Sequence, residues 1–349
     1  YPPVGAHLLR VAGAGMEWLA GSLEVVARHP PFEFVPGQLP VGAAVAMGCG
    51  CAVLIGSRLR RRPVVTGLSV ALLAIAPTLV EGWIDDGTLR IHAIPVGQGD
   101  ATLVEFPDDE TLLVDAGGKL LGSDPGLWVV VPYLHRLGIA RLDAVVATHA
   151  DVDHVGGLPA VAAYLRPRRF LYDPSVDAER LRRVERAMRR VGSQLHPIAE
   201  YRTSRHGGAT VEVWKPGLGP AAAENDNSLV TSLRFGGRRA VLPGDIEAVG
   251  ERWFLERTRF GRADRRVDLL KVPHHGSKTS SSPEFLERLD PRVAVVSAGK
   301  FNAFGHPAPA VRARYRARRI PLLETARHGL TLAEFYPDGR FVVRAMRPP

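Results

Sequence analysis

Cysteine is almost absent from this 349-residue chain: Cys49 and Cys51 are the only two, and both lie in one apolar run. They are too close in sequence for an ordinary disulfide and have no third thiol to pair with, which excludes a disulfide-stapled fold. Two thiols alone in an apolar stretch read as lipid-facing or helix-facing side chains, not as a metal site. A signal-peptide pattern is missing too, and the chain begins at Tyr1 instead of Met; the expectation is the C-terminal part of a longer protein. Lysine is scarce, so the 45 Lys and Arg residues are almost all Arg, and against 36 acidic residues they leave a net charge of +9. Such a surface suits a polyanionic partner, although a coding bias towards Arg and Ala gives the same composition.

What is present is unevenly spread. Two imidazoles and two carboxylates fall within six residues of Thr148-His149-Ala150-Asp151-Val152-Asp153-His154-Val155-Gly156-Gly157. The apolar run Leu142–Ala147 before them reads as a buried strand, and Leu158–Leu165 after the glycines as a helix. The stretch is therefore a loop at a strand end, where sheet folds build their sites. His149 and Asp151, as alternate residues, can share one cation, while Asp153 and His154 come from the turn and can face a second. A polar loop with Asp153 as helix cap is the other reading, but a cap needs one such residue and not four.

The N-terminal part is of another kind. Leu8–Ala27 has apolar residues at helical spacing, broken by Arg10, Glu17 and Glu24, as in an amphipathic interfacial helix or the end of a membrane-embedded one. Pro30, Pro31, Pro36 and Pro40 make a linker. Val41–Ser57 and Pro63–Val80 carry no charge and are separated by Arg58-Leu59-Arg60-Arg61-Arg62. Each run approaches the roughly 17–25 residues of a spanning helix, which predicts a transmembrane hairpin over 41–84. Arginines between the two runs belong on the cytoplasmic side, so everything after Glu81 is expected outside the cytoplasm.

The remainder reads as alternating strands and helices. Strands are expected at Leu89–Pro95, Ala101–Phe106, Thr111–Val114, Arg166–Tyr172, Val211–Lys215, Leu229–Phe235, Arg239–Leu242, Asp268–Val272 and Val293–Ser297, with Leu330–Phe335 and Arg340–Val343 as an edge hairpin. Helices are expected at Trp128–Leu137, Asp177–Val191, Glu247–Arg257 and Arg312–Arg319. The second of these is strongly basic (Arg180, Arg182, Arg183, Arg186, Arg189, Arg190), which reads as a solvated face or as a nucleic-acid contact. His196 and His206 read as loop bystanders. Polar residues gather at several strand ends. Asp115 precedes Gly117-Gly118 and is either a site carboxylate or a turn cap. Ser277, Lys278 and Ser280 to Ser282 follow a histidine pair and can donate to phosphate oxygens.

Val96-Gly97-Gln98-Gly99-Asp100, Leu113-Val114-Asp115-Ala116-Gly117 and Thr148 to Gly157 resemble successive motifs of the metallo-β-lactamase superfamily. More closely they resemble its branch at the C-terminus of the ComEC family, membrane channels of bacterial DNA uptake. The resemblance covers Leu89 to about Val343. It implies an α/β fold, a metallo-β-lactamase-like αββα sandwich over 89–349, preceded by the transmembrane hairpin and by the segment 1–40, in a multi-pass protein of the inner membrane. It implies two divalent cations, with Asp245 bridging them and His274 or His275 completing the second site. It offers Asn227 or Asp226 where the superfamily usually has a histidine, with Asn225, Asn227, Ser277, Lys278 and Asn302 as substrate contacts. His306 is implied as proton donor or phosphate contact, and Asp153, Asp115 and His306 are the catalytic candidates. Asp151 stands where the commonest pattern has histidine; a carboxylate hardens the site towards Mn²⁺ or Mg²⁺ over Zn²⁺. The implied activity is metal-dependent phosphodiester hydrolysis of DNA, as a nuclease acting on the strand not transported in natural transformation. The implied partners are single-stranded DNA, the membrane, the rest of the competence channel and other DNA-uptake proteins. Two alternatives stay open: a non-catalytic DNA-guiding module with a degenerate metal site, and a hydrolase of another phosphodiester, from a cell-wall polymer or a lipid.

Overall fold

Short runs of β-branched and aliphatic residues set the frame. Residues 87–118, 123–175, 179–219, 223–258 and 266–346 are described in the computed structural model. Both sheets lie in one compact unit, which among the described residues comprises 87–134 and the segments from Arg141 onward. Six strands come first: β1 (Leu89–Ala93), β2 (Thr102–Glu105), β3 (Thr111–Val114), β4 (Ala144–Val146), β5 (Arg169–Tyr172) and β6 (Gln194–Pro197). Seven follow in a second sheet: β7 (Tyr201–His206), β8 (Ala209–Trp214), β9 (Val230–Phe235), β10 (Arg238–Leu242), β11 (Leu269–Lys271), β12 (Val293–Val296) and β13 (Leu322–Glu324). The chain then returns with β14 (Leu330–Phe335) and β15 (Phe341–Met346). The first sheet runs β15-β14-β1-β2-β3-β4-β5-β6 and the second β13-β12-β11-β10-β9-β8-β7. The expected edge hairpin is thus β14 and β15, with Leu89 of β1 opposite Phe335 of β14.

Burial explains which strands run parallel. β3, β11 and β12 are buried at every position, as a parallel strand covered on both faces must be. Their register is parallel from β3 through β6 and from β10 through β13. Ile91, Val104, Leu112 and Val146 of one sheet share a core with Val211, Leu233, Leu242 and Val295 of the other. Phe254, Phe285, Leu289 and Tyr315, from three helices, pack with Val241, Leu270 and Val296 of the second sheet. On the first sheet, Leu103, Leu113, Val145 and Phe170 are fully buried, as are Val161, Leu165, Val184 and Met188 from the helices Leu158–Leu165 and Glu179–Arg190. This is the expected αββα sandwich. The expected membrane hairpin and the Leu8–Ala27 helix lie outside the described residues. Among the described residues no helix is long and apolar enough to cross a membrane.

Three strands and three short helices, Val152–Val155, Pro283–Leu289 and Thr325–His328, were not legible. β6 and β7 are polar and largely exposed edges, so they lack the alternation that marks a half-buried strand. They carry His196 and His206, which are therefore strand residues and not loop residues. His206 meets Glu110 at 2.6 Å and His196 meets Arg202 at 3.2 Å, and neither joins the cluster described below. β13 has only three residues. The helix Pro283–Leu289 is short but well signalled: Ser282 caps it by accepting from Phe285 N, and Pro283 opens it.

One buried carboxylate joins two elements. Glu251, in the helix Ala248–Thr258, is fully buried and accepts from the backbone amides of Ser281 and Ser282. Burial pushes its carboxyl up to about 6, against the pull of those amides and of Arg314. Glu251→Ala leaves two amides unpaired, and we expect a loss of roughly 2–4 kcal/mol in urea unfolding near neutral pH. Because the folded pKa lies above the unfolded one, the folded state binds the extra proton. Wild-type stability from this group therefore falls as pH rises from about 4.5 to about 6, by about 2 kcal/mol, and levels off above that. The alanine variant lacks that slope.

Candidate metal centre

The ends of β1, β3, β4, β10 and β11 open at one edge of the sandwich, and each turn beyond them contributes a polar side chain. After β4 the chain leaves its sheet at Ala147, passes His149, and turns into the one-turn helix Val152–Val155. Backbone bonds tie this loop to its neighbours: Asp100 N donates to Asp153 O at 3.1 Å, Ala116 N to His154 O at 2.9 Å, and Leu229 N to Thr148 O at 2.8 Å. The approach is so close that a Cβ at Gly99 or Gly118 runs into the backbone of Asp153. Contact therefore requires both glycines, and at Gly99 a φ of 130° requires it as well.

The side chains converge. Asp100, His154, Asp245 and His275 are all buried and offer ligand-type atoms within 4.8 Å of one another. His154 Nε2 lies 3.2 Å from His275 Nε2 and 3.2 Å from Asp245 Oδ1. His275 Nε2 lies 3.2 Å from Asp153 Oδ2 and 3.5 Å from Asp245 Oδ2. Asp245 thus turns one oxygen to each imidazole. Beside this group His149 Nε2 stands 3.6 Å from Asp151 Oδ2, and the rings of His149 and His154 are 4.1 Å apart. His274 reaches Asp245 Oδ2 at 3.9 Å, Glu247 at 3.0 Å and Asn225 at 3.4 Å. All seven residues expected to ligate metal are therefore brought together. His275, not His274, has its Nε2 at the centre, fixed there by an Nδ1 bond to Ser297 O at 2.9 Å.

The other expected residues fall in several places. Asp115 does not face the centre. Its carboxylate accepts from Thr148 N at 2.9 Å, Thr148 Oγ1 at 2.7 Å and His154 Nδ1 at 2.7 Å, so it orients a ring instead of touching a substrate. His306 stands over the cluster, 5.8 Å from the His274 ring and 6.5 Å from that of His275. Asn302 is bound into its own loop by Gly299 O, His306 O and His306 N. Asn227 reaches only Gly219 O among the described residues, and Ser277 is buried against Thr279. Lys278 lines a separate cavity with Asp226 and Glu247. Asp226 anchors a helix start, accepting from Glu247 N and Gly250 N. Among the expected substrate contacts Asn225 alone touches the cluster.

Two residues went unread in the sequence. Asp100 enters the cluster, and Lys271 Nζ pairs with its Oδ1 at 2.6 Å, both buried. A lysine inside the apolar run Leu269 to Val272 was the available signal, since a buried ammonium demands a carboxylate. The histidine pair is also strained: His274 and His275 have φ of 48° and 50°, in the left-handed region that β-carbon residues avoid.

Charge is densely packed here. Burial alone disfavours every ion, yet opposite charges win. Asp245 and Asp100 push His275 up to about 10, and Asp245 with Asp115 push His154 well above the usual imidazole range. Burial likewise opposes ionisation of Asp153 and Asp245, but the neighbouring imidazoles hold Asp153 down at about 2 and Asp245 well below the carboxylate range. His306 goes the other way, lowered by burial first and then by His275 and His274. A neutral ring at pH 7 is a hydrogen-bond partner for an anion and a poor proton donor. His149 Nε2 and Asp245 Oδ1 are buried without any hydrogen bond. Orphaned donor atoms among N and O ligands are what a divalent cation needs, so the residues fit one.

Comparison with known proteins follows the same line. Residues 94–300 match the description "Metallo-beta-lactamase superfamily". ComE operon protein 3 of Bacillus subtilis is 32% identical over 253 residues, 69% of this chain and 32% of that protein. Competence protein ComA of Neisseria gonorrhoeae is 30% identical over 324 residues, 90% of this chain and 41% of that protein. Recombination protein 2 of Haemophilus influenzae is 30% identical over 253 residues, 72% of this chain and 29% of that protein. The chain spans about a third of the length of these curated relatives.

Two outcomes are expected. Cation binding displaces the protons of His154 and His275, so titration calorimetry in buffers of different ionisation enthalpy should register release of about two protons at pH 7, with affinity rising with pH. Asp115→Asn removes an acceptor from His154 Nδ1; we expect cation affinity to drop roughly 10–100-fold with the circular dichroism spectrum retained.

Proposed function

The chain belongs to the metallo-beta-lactamase superfamily, and from that premise we propose that its centre holds divalent cations and hydrolyses phosphodiester bonds of DNA during uptake. The reading is supported above all by Asp245, whose two oxygens face separate imidazoles at 3.2 and 3.5 Å. Asp153, His154, Asp245 and His275 are assigned to one cation. His149 and Asp151, with Asp245 shared, are assigned to another. Asp100 is left out of both sets because Lys271 already balances its charge. Cations bound there supply charge neutralisation for a phosphoryl group and a more acidic water. The carboxylate of Asp151 argues for Mn²⁺ or Mg²⁺ over Zn²⁺.

The chain's own groups do the rest. Asp115 and Ser297 O hold the His154 and His275 rings in one tautomer by their Nδ1 atoms. Neutral His306 binds a non-reacting phosphate oxygen and keeps the phosphorus over the centre. The Asp100–Lys271 pair braces the loop that carries Asp100 against β11. Given competence relatives, the domain 89–349 is assigned to the outer side of the inner membrane, behind a hairpin at 41–84 and the segment 1–40, working with the rest of a DNA-uptake channel and degrading the strand left outside.

A DNA-guiding module without catalysis has one observation in its favour. The His149–Asp151 side draws no ligand from the Asn225–Asn227 segment, because Asp226 is engaged in a helix start and Asn225 meets His274 instead. One experiment separates the two. The full chain is incubated with labelled single-stranded DNA and Mn²⁺, Mg²⁺ or Zn²⁺, beside Asp153→Ala/His154→Ala and Asp245→Asn. Cleavage should depend on metal and fall to roughly a hundredth or less in both variants. Intact DNA with every metal, while the protein still binds it, rejects the nuclease and leaves the guide.

A further inference from the structure

Two surfaces beside the centre are not used by the chemistry above. One is a groove of about 550 Å³ between Val152 and Pro159 on one wall and Arg180, Arg183, Arg186 and Arg190 on the other. Within the helix Glu179–Arg190, Glu179 engages Arg182 and Arg186, and Glu185 lies 3.9 Å from Arg189. That leaves Arg183 and Arg190 with no carboxylate partner among the described residues. Arg180, Arg183 and Arg190 lie close to one helical stripe, about 15 Å from first to last at 1.5 Å per residue. Several successive phosphates of one strand fit along that length. The stripe ends at the centre, since Arg180 is 3.8 Å from Asp151.

The second surface is the loop that carries His306. Phe301 and Phe304 are 90% and 67% exposed, and the Lys300 ammonium sits 5.4 Å over the Phe301 ring. The loop is not loose. Asn302 binds Gly299 O, His306 O and His306 N at 2.7–2.8 Å, which holds the inside of the loop while both phenylalanines face solvent. The Phe304 ring stacks 5.6 Å from that of His306. Neighbouring side chains lead from Arg180 through Asp151, His149, His154 and His275 to His306, whose ring is 6.5 Å from that of His275, and on to Phe304, so the centre lies between the arginine stripe and the aromatic lip.

We propose that these surfaces form one path for a single polynucleotide strand: the Arg180–Arg190 stripe takes its phosphates, and Phe301 and Phe304 take an unpaired base by stacking. A charged groove with aromatic faces suits a single strand, because a duplex keeps its base faces covered. The path rests on the nucleic-acid reading of the centre, and it explains how that centre selects single strands without reading sequence.

Equilibrium binding tests it without any cleavage. The full chain in EDTA is titrated with a fluorescent single-stranded oligonucleotide, and with its duplex, by anisotropy across a salt series. The single strand should bind tighter than the duplex. Phe301→Ala/Phe304→Ala should weaken single-strand binding roughly ten-fold and narrow the preference over duplex, and Phe301→Trp/Phe304→Trp should restore it. Arg183→Gln/Arg190→Gln should lower the slope of log affinity against log salt by about 1.4 for a single strand. All four positions are exposed, and unchanged melting temperatures check that the variants fold. The path is overturned if the variants bind as wild type, if duplex binds as well as single strand, or if anionic phosphatidylglycerol vesicles bind while the oligonucleotide does not. A protein that binds as described but cleaves nothing keeps the path and loses the nuclease.

Discussion

The hydrogen bond from His154 Nδ1 to Asp115 organises this molecule. It joins the turn after β3 to the loop after β4, and Thr148 closes the same carboxylate from both its amide and its hydroxyl. Three donors hold that carboxylate in place, and its bond at Nδ1 directs the far side of the His154 ring towards Asp245 and His275. The remaining loops then have little freedom: Asp100 is bonded to the backbone of Asp153, and the glycines at 99 and 118 admit that approach. Packing of two sheets sets the strand ends side by side, and this bond converts adjacency into a directed set of ligand atoms.

Such a set is unfavourable by itself. Three buried carboxylates, Asp100, Asp115 and Asp245, surround two imidazoles whose pKa values are raised in response. His274 and His275 hold a left-handed backbone as well. Strain and unpaired atoms at one place are tolerated when the surrounding structure over-determines them. Here that support comes from the two cores behind the strand ends, and from Glu251, Asp226 and Ser282, which tie helix starts and turns on the second sheet.

Much of this was legible in the residues. His149, Asp151, Asp153 and His154 announced themselves by density, and Asp115, Asp245 and the histidine pair by their recurrence at strand ends. The apolar strands were read because each is short, β-branched and bounded by turn residues. Polar edges β6 and β7 were not, because solvent on both faces removes the pattern. Roles were harder than places. Asn302, Ser277 and Asp226 have side chains suited to a ligand, but backbone groups a few residues away, or on an adjacent helix start, claimed them. No local signal reveals that competition, because it depends on which amides the fold leaves unpaired. The choice of His275 over His274 was equally closed, since neighbours in sequence differ only by the turn that aims them.

One feature of the sheet order bears on how the protein comes into being. β1, the first strand of the domain, is flanked by β2 on one side and by β14 on the other, with Leu89 opposite Phe335. Without β14 and β15, β1 is an open edge and the shared core lacks Ala333 and Phe335. Pairing of β1 with β14 closes a long loop, a contact that forms late and slowly. The residues that converge at the centre all precede β14, so the sheet that aligns them is closed by a hairpin that contributes none of them.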